Sequence, residues 1–535
     1  MIRWPRWMRG RGLMYVIVGL EVLVLSSIVG SQELNRALDS EPGVDLELVR
    51  ARARKDPFRG AYVWGESALD LDGRQVALPP ERLQPGDEVL VFFAVEPPGR
   101  PKITRVQRGS RGAPRFSPTS FTIPGTVRGR DDTRIGGGAG LVARVGDPPV
   151  TIQLALPASI PIDDSALDAL TGPSLIRARL HKGFLEHRYL DDVRLIGRGW
   201  PSDVSLVYDS KRDRLVVLAP REMPYREWSE EAKPQTEVFF FDALGAEAGT
   251  ATVSGRVVEG VVDPEDGHLL ALVSDQRWGQ SEVSLARIGE DGQVVQRSTL
   301  IAFDRILGLE PGGVWTLVGL APSRTKGAKA PYFVERVTFA GPQSPRLGPF
   351  ASVPRSVVSR GGAVWVIETE QHRLTRLDLA SGRTVREYRD LNGPTDIAVD
   401  ATSAYVIEAN RTQLTRLSAD GRALWRVPRF QGLAWILTVP ATGEAWAGAS
   451  TYDGKPAGVV RIGADGSISV VRAGIKTELR PDWRGRRLTV DAVRSARTGD
   501  LYLLDNRSIV ILSPDGAVLK RLEGYRFPKE QRVRG

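Results

Sequence analysis

Apolar and polar positions follow one another in three different ways along this chain. Residues 13–30, LMYVIVGLEVLVLSSIVG, form a nearly unbroken apolar run. Its 18 residues make roughly 27 Å of helix, close to the thickness of a bilayer core. From 35 to 200, short apolar runs alternate with turn signals. Examples are Gln75–Leu78 before Pro79-Pro80, Glu88–Phe93 after Pro85-Gly86-Asp87, Gly125–Gly129, Thr151–Leu156 and Leu175–Leu180. Short strands at this spacing predict a small β barrel or sandwich.

From 204 to 525 the pattern becomes periodic. An apolar strand, often with an arginine near its end, runs into a short turn closing on glycine. The closing glycines are Gly245, Gly292, Gly341, Gly382, Gly421, Gly466 and Gly516, spaced 39 to 50 residues apart. Within the fifth unit four strands are expected, at Thr395–Asp400, Ser403–Ile407, Gln413–Ser418 and Arg422–Val427. Four short strands per repeat predict the blade of a β-propeller. Seven blades follow from the glycine count, with six as the alternative. Val364, Val366, Ala404, Val406, Leu501 and Leu503 are expected to fill the contacts between blades. The fold class is therefore mainly β: an N-terminal transmembrane helix, a small β domain, then a propeller.

Charge orients the first segment. Arg3, Arg6, Arg9 and Arg11, with Trp4 and Trp7, precede the apolar run, and no basic cluster follows until Arg50. The positive-inside rule places residues 1–12 in the cytoplasm and the bulk outside. The expectation is a signal anchor in a bacterial inner membrane with a periplasmic main part. A signal peptide cleaved near Val29-Gly30-Ser31 is the alternative. Glu21 interrupts the run, and a carboxyl group at membrane depth points to a contact with a membrane partner's helix. A protonated or snorkelling residue is the bland reading. Residues 526–535 read as a basic tail.

Composition narrows the chemistry. There are no cysteines, so disulfides, thiolate zinc sites and cysteine nucleophiles are excluded. The net charge of +9 is carried partly by the four N-terminal arginines. No basic block with interleaved aromatics appears, so no nucleic-acid partner is expected. His181, His187, His268 and His372 do not fall at metal-ligand spacing. The stretch Arg134–Gly140 is glycine-rich but lacks the Gly-Lys-Ser/Thr ending of a phosphate loop, and reads as a hairpin loop. Arg287, Arg336, Arg376, Arg416 and Arg461 occupy one position of successive repeats. They read either as a basic ring for an anionic partner or as outer-strand residues shielding sheet edges.

Two resemblances add to this. Asp56-Pro57-Phe58-Arg59-Gly60-Ala61-Tyr62, Pro85-Gly86-Asp87 and Gly125-x-Val127-x-Gly129, following one apolar helix, resemble the GDYXXLXY family of membrane-anchored bacterial proteins over residues 13–197. Ala61 stands where the name-giving Asp belongs, and Gly65 and Ser67 replace the Leu and Tyr. The retained Asp56, Pro57, Arg59, Gly60 and Tyr62 read as a structural turn. The fourth and fifth repeats, with Asn392-Gly393-Pro394-Thr395-Asp396 through Glu408-Ala409-Asn410, resemble NHL and SMP-30-like propellers. That resemblance implies one enzymatic alternative, an exported metal-dependent lactonase or hydrolase. Glu368, Asn392, Asn410 and Asp505, with Asp396, are then the weak candidates for metal ligands. The reading preferred from the sequence needs no cofactor and no metal. It is a non-enzymatic binding or scaffold module that meets a protein or envelope partner.

Overall fold

The computed structural model describes residues 44–56, 60–64, 67–69, 83–96, 100–109, 116–117, 120–129, 141–145, 150–154, 160–161, 174–182, 188–201, 203–221, 234–275, 282–302, 306–319, 331–400, 403–420, 422–439, 442–473, 475, 492–505, 508–522 and 524–532. The apolar run 13–30, Glu21, Pro57, Arg59 and the Arg134–Gly140 stretch lie outside them. Among the described residues no helix is long and apolar enough to cross a membrane. The chain divides into two units. One includes Ser174–Gly197 and Arg526–Gly535, and the other spans Arg198–Tyr525.

The first unit is a 13-stranded sheet. Expected strands are present at Glu88–Glu96, Ser120–Gly129, Val150–Leu154 and Ser174–Lys182. Strand Arg100–Arg108 comes back alongside Val44–Asp56, so the sheet curls on itself. The motif residues sit on a hairpin: Asp56 pairs with Gly60 and Arg54 with Tyr62. The C-terminal segment departs from expectation. Residues Gly524–Arg532 are a strand that pairs with Arg188–Gly199 at the sheet's edge, not a tail. The backbone donors and acceptors of a sheet edge favour such a partner.

The second unit consists of seven sheets, each built from consecutive strands. The innermost strands are Ser205–Asp209, Arg256–Val262, Ile306–Glu310, Ser356–Arg360, Asp396–Val399, Trp435–Val439 and Ala492–Arg494. Each lies beside the next, and the last lies beside the first, so the seven blades close a ring. In blade 5 the strands are Asp396–Val399, Ser403–Glu408, Gln413–Ser418 and Ala423–Val427, within two residues of the expected limits.

Alternation on the second strand of each blade builds the core. In blade 4, Val364 and Val366 pack with Trp315, Val334 and Leu347 of blade 3. The intervening Trp365 and Ile367 pack with Ile397, Ala404 and Val406 of blade 5. Tyr405 and Ile407 then face Ala445 and Val460 of blade 6. A period of two thus sends successive side chains to opposite neighbours, and both faces of the sheet are buried. Six closing glycines have φ between 70° and 101°, the left-handed conformation that a tight hairpin needs. Gly421 lies outside the described residues. At Gly516 a Cβ would also meet Val471 O at 2.6 Å.

Among the described residues no strand is exchanged to close the ring. Side chains close it instead. Tyr502 stacks on Tyr208 with ring centroids 6.5 Å apart. The Tyr502 hydroxyl donates to Ala243 O at 3.2 Å, and Lys520 Nζ donates to Gly245 O at 2.8 Å. Burial pushes the Tyr502 phenol well above its ordinary range. The two ends of the ring's chain meet here. Trp200 Nε1 donates to Leu522 O at 2.8 Å, and the Trp200 ring packs against Phe239 and Tyr525.

Candidate functional site

An antiparallel blade gives the ring two rims of different kinds. One carries the turns joining first to second and third to fourth strands. The other carries the second-to-third turns and the connections between blades. On the turn rim the links are short throughout, such as 361–362, 379–383, 419–422 and 463–467. On the connector rim they vary, and the long links 221–234, 320–331 and 473–491 all depart from it.

The repeated arginines belong to the turn rim, and neither expectation for them holds. They lie on third strands, not on outermost ones. Arg376 Nη1 donates to Ala419 O at 3.1 Å and Arg416 Nη1 to Ala464 O at 2.7 Å, each acceptor being in the next blade's turn. Arg461 pairs with Glu444 at 2.7 Å and Arg336 with Glu310 at 3.0 Å, and Arg287 pairs with Asp266, tying turns of their own blades. Strand register supplies the reason for the position. Trp315, Trp365, Tyr405 and Trp446 stand directly opposite Arg336, Arg376, Arg416 and Arg461. The guanidinium groups of Arg376 and Arg416 lie 5.3 Å from the ring centroids of Trp365 and Tyr405. A planar cation can stack on a ring and still donate at its edge, which suits arginine better than lysine. At the closing joint the same kind of carbonyl, Ala243 O, is met by Tyr502, and the arginine position is Ile511.

Of the candidate metal ligands, Glu368 and Asp505 end second strands at the connector rim, and Asn392 and Asn410 lie in links on the same rim. Glu368 is fully buried. Its Oε1 accepts from Ala351 N at 3.0 Å and Ser352 N at 3.2 Å, and its Oε2 pairs with Arg373 at 2.5 Å. The carboxylate thereby pins the link arriving from blade 3. Glu408, one repeat later, does the same. Its Oε2 accepts from Asn392 N at 2.6 Å, and its Oε1 from Gln413 Nε2 at 2.8 Å and from the Thr415 hydroxyl. Asp505 accepts from Arg521 Nη1 at 2.7 Å. Asn392 contributes through its backbone, and Asn410 occupies a left-handed turn at φ 58°. Asn392 and Asn410 are neighbours, since Asn392 O accepts from Ala409 N at 2.5 Å, whereas Glu368 and Asp505 are each held by an arginine of their own blade. Among the described residues no group of three or more His, Cys, Asp or Glu could hold a metal. Glu408 was passed over in the sequence, although its place after Val406-Ile407 repeats that of Glu368.

Asp396 stands apart from that set, because it lines the central channel. Near the connector rim the channel widens to a cavity of about 330 Å³. Its wall includes Ile306, Leu307, Val357, Ile397, Trp435 and Ile436, and its polar groups include Glu259, Arg355, Thr395, Asp396 and Arg411. Ala409, Asn410 and Arg411 form a run of three non-glycine residues at φ 52°, 58° and 68°. Such a run costs on the order of 1 kcal/mol or more per residue. The turn is held by Arg411 N to Glu408 O and Leu433 N to Arg411 O, both 3.1 Å. It presents the Arg411 side chain at the cavity, where Nη1 donates to Leu433 O at 2.9 Å. Arg355 and Arg411 carry no sequence signal of their own, since only the ring brings their two blades to one wall.

No family model matches the chain, and none of the curated proteins matches it. Solved structures do. A protein of unknown function from Desulfotomaculum acetoxidans is 12% identical, with a TM-score of 0.40, covering 56% of this chain and 94% of its own. BamB from Moraxella catarrhalis is 13% identical at a TM-score of 0.30, covering 64% and 90%. The WD40 β-propeller domain of Doa1 is 12% identical at 0.32, covering 54% and 88%. Likenesses of this size assign neither family nor function, and the seven-bladed ring rests on strand pairing within blades and on the contacts between neighbouring first strands.

Proposed function

We propose that the protein is a membrane-anchored, exported β-propeller of the bacterial cell envelope, acting as a non-enzymatic binding or scaffold module. The apolar run 13–30 with its four preceding arginines supports the anchor, the cytoplasmic N-terminus and the periplasmic placement of the rest. The GDYXXLXY-like hairpin is consistent with the same company of proteins. One observation carries the binding reading. Glu368 and Glu408 are engaged in pinning blade connections and Asp505 in an ion pair with Arg521, while the long links 221–234, 320–331 and 473–491 leave from a single rim. Loops set on a rigid scaffold are where recognition residues concentrate.

The test is crosslinking in native membranes followed by mass spectrometry, with the full chain and a variant whose 320–331 link is replaced by a short Gly-Ser linker. A partner enriched by the full chain and lost from the variant is the expected result. Recovery of the same abundant bystanders from both sinks the reading.

A second reading, an exported SMP-30-like hydrolase, is favoured by one observation: Asp396 faces the channel cavity. Metal-dependent lactone hydrolysis that disappears in Asp396→Asn is its required signature, and lack of turnover with any divalent metal removes it.

A further inference from the structure

We propose that the channel cavity is a binding site for a small organic acid, one with an apolar body and a hydrogen-bond donor beside its carboxylate. Arg355 and Arg411 seat the carboxylate, Asp396 accepts from the neighbouring ammonium or hydroxyl, and the apolar body lies against Leu307, Val358 and Leu437, the partly exposed apolar residues of the wall. This goes beyond the scaffold reading, because it concerns the interior of the ring and not the loops of its rim.

Four features lead to this. The cavity has the volume of a small-molecule site, about 330 Å³. Its wall is divided about evenly between apolar and polar surface, and in such sites the polar groups fix the ligand's orientation. Two of those groups are guanidinium groups from different blade segments, and a planar fork of donors matches a carboxylate. Finally, the backbone bears a strained left-handed run, Ala409–Arg411, to place one of them there. A residue needed only to fill the channel would not require that turn.

The charges also restrict the ligand. Arg355, Arg411, Asp396 and Glu259 each have a further polar or electrostatic partner within the protein. The ligand therefore joins a pre-positioned network of both signs. A simple polyanion would be opposed by Asp396 and Glu259. A 2-amino or 2-hydroxy acid satisfies both signs at once.

Isothermal titration calorimetry on the full chain in detergent tests this, with phenylalanine, 2-hydroxy-3-phenylpropanoate, phenylalanine methyl ester and inorganic phosphate as probes. At least one of the two acids is expected to bind, with the ester at least tenfold weaker than phenylalanine if the amino acid is the one bound. Arg411→Gln and Arg355→Gln are each expected to weaken the acid at least tenfold. Asp396→Asn weakens phenylalanine more than the hydroxy acid, which tells the two donors apart. The probe comparison uses the unaltered protein, so it stands even where a variant misfolds. Absence of binding by both acids at millimolar concentration overturns the proposal. So does an ester that binds as well as phenylalanine, or phosphate that binds as tightly as either acid. A negative result here leaves the crosslinking outcome untouched.

Discussion

The two rims of the ring are made from the same blades but by opposite means. On the turn rim one device recurs: a short hairpin, a left-handed glycine, and a third-strand arginine that ties a turn, laid on the aromatic opposite it at Arg376 and Arg416. On the connector rim buried glutamates hold two crossings, in blades 4 and 5, and elsewhere the links differ in length and composition. Where the chemistry repeats, it serves closure of the ring. Where it ceases to repeat, it is free to serve recognition. The contrast teaches that a residue type recurring at one blade position is a fold device until its partners show otherwise. The arginines, which the sequence left open between a basic ring and a shield for sheet edges, are the case in point.

The largest effect that could break this contrast belongs to Glu408. Its buried carboxylate satisfies a backbone N–H, an amide and a hydroxyl. Glu408→Ala should cost about 3 kcal/mol in urea-induced unfolding, since buried donors are left without an acceptor. An unchanged midpoint would mean that the acids of this rim are not structural, and would restore them as site candidates. Next comes Arg416, which is nearly buried and bonds both Ala464 O and Ser403 Oγ. Arg416→Ala should cost about 2 kcal/mol, and Arg416→Lys should recover less than half of it, because lysine keeps the charge but not the fork. Full recovery by lysine would argue for charge alone.

Smaller effects sharpen the comparison at the closing joint. Tyr502→Phe removes the hydroxyl bond to Ala243 O and should cost about 1 kcal/mol near neutral pH. The Tyr502 phenol is raised above its ordinary value of about 10 by burial. Its contribution is therefore complete below that pH and is lost as the pH rises toward the folded value. Denaturation curves between pH 9 and 12 should fall less steeply for Tyr502→Phe than for the unaltered chain. Equal slopes would place the alkaline sensitivity elsewhere.

The smallest effect lies in the hairpins. Ser467 holds the Asp465 carboxyl below its ordinary value through side-chain and backbone hydrogen bonds, and the Ser513 hydroxyl with the Ala517 backbone N–H does the same for Asp515. Carbon-detected NMR titration should show Asp465 moving up toward the ordinary range in Ser467→Ala. No movement would mean that the turn, not the serine, sets it.

The sequence made much of the ring legible, because turn glycines and period-two apolar runs leave a mark at every blade. The strands of blade 5 and the buried pairs Val364/Val366 and Ala404/Val406 were visible for that reason. Other features depend on partners distant in sequence. Trp365 explains Arg376 only once their strands are in register. Arg355 and Arg411 become neighbours of one cavity only when the ring closes. Gly524–Arg532 looked like a tail because a polar, proline-bearing segment gives no sign of the edge strand it completes.

The clasp at Trp200 has a mechanical consequence. Both ends of the ring's chain are fastened to each other there, by one indole hydrogen bond and the packing of Trp200, Phe239 and Tyr525. A pull on either end is met by this fastening before any blade is loaded. The clasp, and not the blades, is therefore the first thing that a force separating those two ends within the ring has to break.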